Sequence, residues 1–216
     1  MAVMTTVPVI ETFKENSITI RRRAVQYAKE YEQYILERVD YGVMPSQLMQ
    51  LLENVMVFTK TNKRALKYEV LAEEQAADGT KIEVYSYLTK KQLAFINARI
   101  YFDAKYMYHK ENLCIITSHG NDIYRNQYIQ SKDLKGLSLA ITVFSAFKFE
   151  PVFDKADPSK VIGTKTILIS VSDFGGSIPQ YLIKKFTPKE LKEFLDDMII
   201  GAKKEFPLSS WGCHKI

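Results

Sequence analysis

The segment Val171-Ser172-Asp173-Phe174-Gly175-Gly176-Ser177-Ile178-Pro179-Gln180 joins two unlike patterns and decides the fold. Before it, residues 164–172 are rich in β-branched side chains, which is typical of a strand. After it, Ser177 to Gln180 has the spacing of a capped helix start that includes a proline. Apolar residues then recur every three or four positions and predict one continuous stripe, formed by Leu191, Phe194, Leu195, Met198, Ile199, Ala202 and Phe206. Within this long helix, Pro188 predicts either a kink or the start of a second helix.

Strand patterns fill most of the chain before this turn. Pro45 opens a short helix whose apolar face includes Leu48 and Leu51, and Asp78-Gly79 predicts a tight turn between two strands. A curved antiparallel sheet needs an element to fill its concave face, and the C-terminal helix is the candidate. We therefore expect an α+β fold with an internal hydrophobic cavity. The predicted strands cover residues 17–26, 31–39, 65–73, 81–89, 95–109, 112–118, 137–149 and 164–172.

Composition points to a globular protein with an unusual number of aromatic residues. The 216 residues are 46% hydrophobic and 25% charged, with 13 Tyr, 12 Phe and a net charge of +5. This composition excludes a disordered chain, and the small positive charge predicts no nucleic-acid partner. Two cysteines and three histidines predict neither a disulfide framework nor a metal site. With no signal peptide and no transmembrane span in the pattern, we expect a cytoplasmic protein. We also expect a monomer with no cofactor.

We expect one domain over residues 17–206, preceded by a lead-in at 1–16 and followed by a tail at 207–216. Within it, the strand at 95–109 carries alternating polar residues. Because successive side chains of a strand point to opposite faces, Arg99, Tyr101, Asp103, Lys105 and Met107 share one face.

Several segments resemble START (steroidogenic acute regulatory protein-related lipid transfer) domains. The Gly-Gly-Ser-Ile-Pro turn and the helix after it, within residues 163–183, resemble the end of that domain. Asn97-Ala98-Arg99-Ile100-Tyr101-Phe102 resembles its central strand, and Met44-Pro45-Ser46 resembles its early helix. Residues 115–119 and 138–151 resemble two further strands. The resemblance covers residues 17–206 and implies a single-domain member of the family, like the phosphatidylcholine-transfer protein.

The resemblance implies a helix-grip fold of the START and Bet v 1-like type, with a curved antiparallel sheet wrapped around the C-terminal helix. It also implies a non-enzymatic protein that binds one lipid, a phospholipid or a sterol, in an internal tunnel. Such a protein transfers the lipid between membranes and touches anionic membrane surfaces transiently. Lys105 matches a buried basic residue of the sterol-binding branch, and its acidic partner falls near Ser86 by ungapped count.

The candidate site residues fall into two groups. The polar candidates for ligand contact are Lys105, Arg99, Asp103, Tyr101 and Asn62. The expected cavity lining and lid residues are Tyr85, Tyr87, Met107, Phe147, Leu191, Phe194, Leu195, Met198 and Ile199.

Each candidate also has a structural interpretation. Lys105 could pair with Asp103 or Asp173, Arg99 could form a structural ion pair, and the aromatic residues could be ordinary core. Residues 119–136, with Ile123 and others, could form a membrane gate or a solvated loop. Arg21-Arg22-Arg23 could touch anionic lipid or form a solvated strand end.

Two other functions stay open. The sequence has no nucleophile elbow, no zinc-protease motif and no phosphate-binding loop, and Cys213-His214 is adjacent in sequence only. A helix-grip enzyme of the aromatase/cyclase type would instead place several titratable residues together inside the cavity. A lipid-sensing interaction module would change conformation on binding lipid without transferring it.

Overall fold

The computed structural model describes residues 9–15, 18–24, 31–91, 97–110, 113–131, 136–176 and 178–208. Strands dominate this part of the chain. They are β1 (Val9–Glu15), β2 (Ile18–Ala24), β3 (Glu32–Tyr41), β4 (Ala65–Gln75), β5 (Lys81–Thr89), β6 (Ala98–Lys110), β7 (Leu113–Gly120), β8 (Leu137–Leu139), β9 (Ile141–Phe153) and β10 (Val161–Asp173).

Within the described residues, helices lie at three places. Two short helices follow β3, one separates β7 from β8, and one long helix follows β10. They are α1 (Pro45–Glu53), α2 (Val55–Thr61), α3 (Asp122–Ser131) and α4 (Gln180–Glu205).

The strands form one sheet in the order β1-β2-β3-β10-β9-β7-β6-β5-β4. Neighbours along this path are antiparallel, whereas β8 lies off it and pairs in parallel with β6. The contact between β3 and β10 sets Ile35 opposite Ile169 and joins segments far apart in sequence. This arrangement, with α4 against the sheet, confirms the predicted helix-grip fold.

The second half of α4 forms the centre of the core. Leu195, Met198 and Ala202 are buried and share one cluster with Leu36 on β3 and Phe149 on β9. Gly201 permits the close approach of α4 to α2, because a Cβ there would lie 2.7 Å from the Cβ of Thr61. The apolar stripe of the sequence therefore packs as predicted, in a single helix that continues through Pro188.

The turn between β10 and α4 is fixed by backbone contacts. Gly175 has φ +61°, and a Cβ there would lie 1.7 Å from the carbonyl oxygen of Leu139. Its N–H donates to Asp173 Oδ1 at 2.8 Å, and Arg99 Nε donates to the carbonyl of Phe174 at 3.1 Å. Only glycine fits this position, which explains the Gly-Gly signal of the sequence.

Three local predictions differ from the structure. The expected strand at 137–149 is broken at Ala140, whose N–H donates to the carbonyl of Ile100 at 3.0 Å. The expected loop at 119–136 contains α3, and the expected lead-in contains β1, which pairs with β2. The helix α2 was not predicted, and Ser177, the expected helix cap, lies outside the described residues.

None of the described helices is both long enough and apolar enough to cross a membrane. Within the described ranges, no group of histidine, cysteine and acidic side chains has the arrangement of a metal site.

Candidate functional site

A cavity of about 250 Å³ lies between the sheet and the helices α2 and α4. Its volume is close to the lower end of the roughly 300–1,000 Å³ that is usual for small-molecule pockets. Most of its wall is apolar. The apolar lining residues are Leu52, Phe58, Ile116, Phe147, Leu168, Phe174, Leu191 and Phe194.

Tyrosine side chains form a second part of the wall. Tyr68, Tyr85, Tyr87 and Tyr101 all line the cavity, and the rings of Tyr68 and Tyr85 stack with centroids 4.5 Å apart. Burial raises the pKa of each of these phenols above its usual value. The four hydroxyls therefore stay protonated and act as neutral hydrogen-bonding groups.

Asp103 on β6 brings a carboxylate into this wall, with only 4% of the residue exposed. Its Oδ2 accepts from the Thr142 hydroxyl at 2.6 Å and from the Tyr85 hydroxyl at 3.3 Å. Its Oδ1 is buried and has no hydrogen-bond partner within the described part of the chain. Burial raises the pKa of Asp103 to about 6, against the opposing effect of the Thr142 hydrogen bond. At neutral pH this is a mostly ionised carboxylate with an unused acceptor.

Lys105, two residues further along the same face, has no unused donor. Its ammonium bonds Glu83 Oε1 at 2.6 Å, the Leu52 carbonyl at 2.9 Å and the Tyr68 hydroxyl at 3.2 Å. An ammonium has three N–H donors, so these contacts account for all of them. Lys105 lines the cavity but is held by the protein.

Glu83 is the acidic partner of Lys105, which the family resemblance had placed near Ser86. It lies directly opposite Lys105 in the β5–β6 register, and Tyr68 donates to it at 2.8 Å. The expected position, Ser86, faces Phe102 in that register, and neither Asp103 nor Asp173 forms the pair. The expectation of an acid near Ser86 was therefore wrong by three residues.

Arg99 and Asn62, two of the polar candidates, differ in their position relative to the cavity. The Arg99 guanidinium donates to the carbonyls of Phe174 and Asn97, and Arg99 is not among the described residues that line the cavity. Asn62 does line it, with Nδ2 donating to the Tyr87 hydroxyl at 3.2 Å. Asn62 therefore orients a tyrosine of the wall, whereas Arg99 braces the turn before α4.

The expected lining residues also divide into two groups. Tyr85, Tyr87, Phe147, Leu191 and Phe194 line the cavity together with Tyr101. The other four pack in the described core instead of lining the cavity; they are Met107, Leu195, Met198 and Ile199. Sequence reasoning did not single out Tyr68 and Thr142, both of which face the cavity.

Arg64 connects the cavity wall to α4. Its Nε lies 2.8 Å from Glu190 Oε2, its Nη1 donates to the Glu190 carbonyl at 2.7 Å, and its Nη2 contacts Glu193. Arg64 and Glu190 both line the cavity. This cluster holds the middle of α4 against the turn before β4.

Comparison with solved structures identifies this architecture. Human STARD10 superposes with a TM-score of 0.68 and 11% identity, over 93% of this chain and 78% of that one. The human StAR-related lipid transfer protein 5 gives 0.69 and 16%, over 90% and 86% of the two chains.

The chain has the START fold. The human StarD13 (DLC2) lipid transfer and protein localization domain also superposes, with a TM-score of 0.61 and 13% identity over 92% of this chain and 89% of that one. No protein-family model and no curated protein matches the sequence. The likeness to START structures therefore lies in the fold, at low sequence identity.

Proposed function

We propose that the protein binds one lipid in the cavity and transfers it between membranes, as a monomer with no cofactor. The observation that carries this proposal is an apolar cavity whose wall contains a buried carboxylate oxygen, Asp103 Oδ1, with no hydrogen-bond partner among the described residues. Exposing a lipid chain to water costs about 0.8 kcal/mol of free energy for each CH₂ group, and an apolar wall removes that cost. The START fold supports the proposal, since two of the similar structures are named for lipid transfer.

The polar groups of the cavity favour a lipid with a hydroxyl group over a phospholipid. Asp103 Oδ1 can accept a hydrogen bond from a hydroxyl. A phosphate at the same place would face this carboxylate. The Lys105 donors that could neutralise it are already used, and the Arg64 guanidinium is held by Glu190. A buried unpaired charge is costly, so a neutral lipid alcohol such as a sterol suits this wall better.

Exchange of the lipid requires α4 to move, and the first turns of α4 are suited to contact a membrane in the cytosol. Tyr181 is 68% exposed there, and Lys185 and Lys189 are exposed four and eight residues further along the helix. Each basic residue near an anionic membrane surface contributes about 1 kcal/mol to the free energy of membrane binding. The proposed contact is peripheral and transient, and it loosens the Arg64 cluster that holds α4.

Native mass spectrometry and a liposome transfer assay test this function. Purified protein should carry a lipid of defined mass and move it between vesicles. Ser118→Trp, which fills the cavity, should abolish both, whereas Thr117→Trp on the opposite face of β7 should leave both intact. Absence of bound lipid and of transfer across a broad lipid panel would refute the proposal.

An enzyme that uses the same cavity is the second candidate. The observation in its favour is that a carboxyl with a pKa of about 6 lies among four tyrosine hydroxyls, as expected for acid–base chemistry. An enzyme would change the mass of the co-purified ligand on incubation, and Asp103→Asn would stop this change without releasing the ligand. A carrier returns its ligand unchanged.

A further inference from the structure

A second cavity adjoins the first. It also measures about 250 Å³ and lies between β3, β10 and the first turns of α4. Its lining residues are Tyr31, Glu32, Tyr34, Ser170, Ser172, Asp173, Phe174, Gln180, Ile183 and Thr187. We call the cavity around Asp103 the inner chamber and this one the outer chamber.

The two chambers share part of their walls. Ser170, Ser172, Phe174 and Thr187 line both of them. Three of these side chains, those of Ser170, Ser172 and Thr187, are small and carry a hydroxyl. The fourth, Phe174, carries a phenyl ring that can rotate about its two side-chain bonds. A change in the Phe174 rotamer is therefore the simplest motion that would join the chambers. We call these four residues the neck.

The outer chamber differs chemically from the inner one. Its wall includes the carboxylates of Glu32 and Asp173 and the phenols of Tyr31 and Tyr34. Glu32 already contacts Arg22 at 2.5 Å, the Tyr34 hydroxyl at 3.0 Å and Lys184 at 3.5 Å. Asp173 Oδ1 accepts from the Gly175 N–H at 2.8 Å. A carboxylate has about four lone-pair sites, so these contacts leave acceptor positions on both side chains for a ligand that donates.

We propose that the two chambers form one site for an elongated lipid with a hydrogen-bond donor at each end. This inference rests on the proposed function and extends it. One donor bonds Asp103 Oδ1 in the inner chamber, the apolar body passes the neck, and the second donor meets the acceptors of the outer chamber. A ligand with a single polar end leaves one set of acceptors unused.

Straight-chain 1-alkanols and the α,ω-diols of equal length test this site by titration calorimetry. In the wild type, affinity should rise about fourfold per CH₂ until both chambers are filled. At that length the diol should bind several-fold more tightly than the alkanol, because its second hydroxyl forms a further hydrogen bond.

Three variants separate the chambers. Ser172→Phe blocks the neck, so the rise in affinity should stop at a shorter chain and the preference for the diol should disappear. Phe174→Ala opens the neck, so this variant should keep the wild-type rise in affinity with chain length and the preference for the diol. Ile169→Phe adds the same ring on the opposite face of β10 and should behave as the wild type, provided that unfolding curves show each variant is folded.

The outcomes distinguish this inference from the function on which it rests. If folded Ser172→Phe keeps the wild-type length limit and diol preference, the two-chamber site is wrong while lipid binding stands. If the wild type shows no advantage of the diol at any length, the second donor site is wrong. If no alcohol, sterol or other lipid binds the wild type, the proposed function itself fails.

Discussion

The ammonium of Lys105 lies 2.6 Å from Glu83 Oε1, and the two side chains are only 6% and 2% exposed. This ion pair joins β5 to β6 directly across the ladder and also holds Tyr68, which lines the cavity. Removing both charges from water costs much of what their attraction contributes to stability. Loss of one partner is more costly, because it leaves the other charge buried without a counter-charge.

Glu83→Ala should destabilise the protein by about 3–5 kcal/mol, because the buried Lys105 ammonium would lose its counter-charge. Glu73→Ala is the matched control on the neighbouring strand. Its carboxylate pairs with Lys81 in an exposed position, so its loss should cost less than about 1 kcal/mol. Urea unfolding monitored by circular dichroism measures both values, and equal costs would contradict the role given to the buried pair.

Strand periodicity explains why part of the site could be predicted and why Glu83 was missed. Alternation along residues 95–109 correctly put Tyr101, Asp103 and Lys105 on one face. The same alternation in β5 places Glu83 on the face of Tyr85 and Tyr87, and it excludes Ser86. The signal was therefore present, but an ungapped count from a distant family does not preserve strand register.

Most elements of the fold were predictable from local pattern, whereas the strand pairings and the breaks set by tertiary contacts were not. The apolar stripe of α4 and the Gly175-Gly176 turn are local signals, and the structure has both. The pairing of β3 with β10 joins residues more than 120 positions apart and leaves no mark in a short window. The break at Ala140 depends on a bond to Ile100, which is again a tertiary contact.

Asp103→Asn should change how stability depends on pH. Because burial raises the pKa of Asp103 from its ordinary 3.8 to about 6, the folded state favours the protonated form. The stabilisation is present below pH 4 and is lost as pH rises through 6, by roughly 3 kcal/mol in total. The variant lacks this titration, so it should gain stability relative to the wild type between pH 4 and pH 7. Parallel curves for the two proteins would show that Asp103 titrates normally.

The same titration should change ligand preference. Above pH 6 the Asp103 carboxylate accepts from a lipid alcohol, whereas below pH 6 the carboxyl group donates to the corresponding ketone. The affinity ratio of alcohol to ketone should therefore rise about tenfold from pH 5 to pH 7.5, since a hydrogen bond to a charged group is worth more than 1 kcal/mol. A sterol and its 3-ketone provide the pair for a binding titration. Asp103→Asn should show a flat ratio, and a flat ratio in the wild type would exclude Asp103 from ligand contact.

Gly175→Ala should destabilise the turn before α4 more than a positive φ alone can explain. Gly136→Ala is the control, because Gly136 has φ +79° but no atom within 4 Å of the added Cβ. We expect about 1–2 kcal/mol at Gly136 and clearly more at Gly175, where the Cβ would lie 1.7 Å from the Leu139 oxygen. Thermal unfolding of the two variants measures the difference, and similar losses would mean that the backbone at Leu139 moves aside.

Arg64→Met should accelerate lipid release, because it removes the contacts that hold α4 over the cavity. Arg64 bonds the Glu190 carboxylate at 2.8 Å and the Glu190 carbonyl at 2.7 Å, and these partly exposed contacts are together worth about 1 kcal/mol. The release rate should therefore rise roughly fivefold. Lys67→Met removes an exposed pair with Glu69 on the same strand and should leave the rate unchanged. Stopped-flow release of a fluorescent sterol measures both rates. If Arg64→Met releases the sterol no faster than Lys67→Met, the movement that opens the cavity does not break the contacts of Arg64.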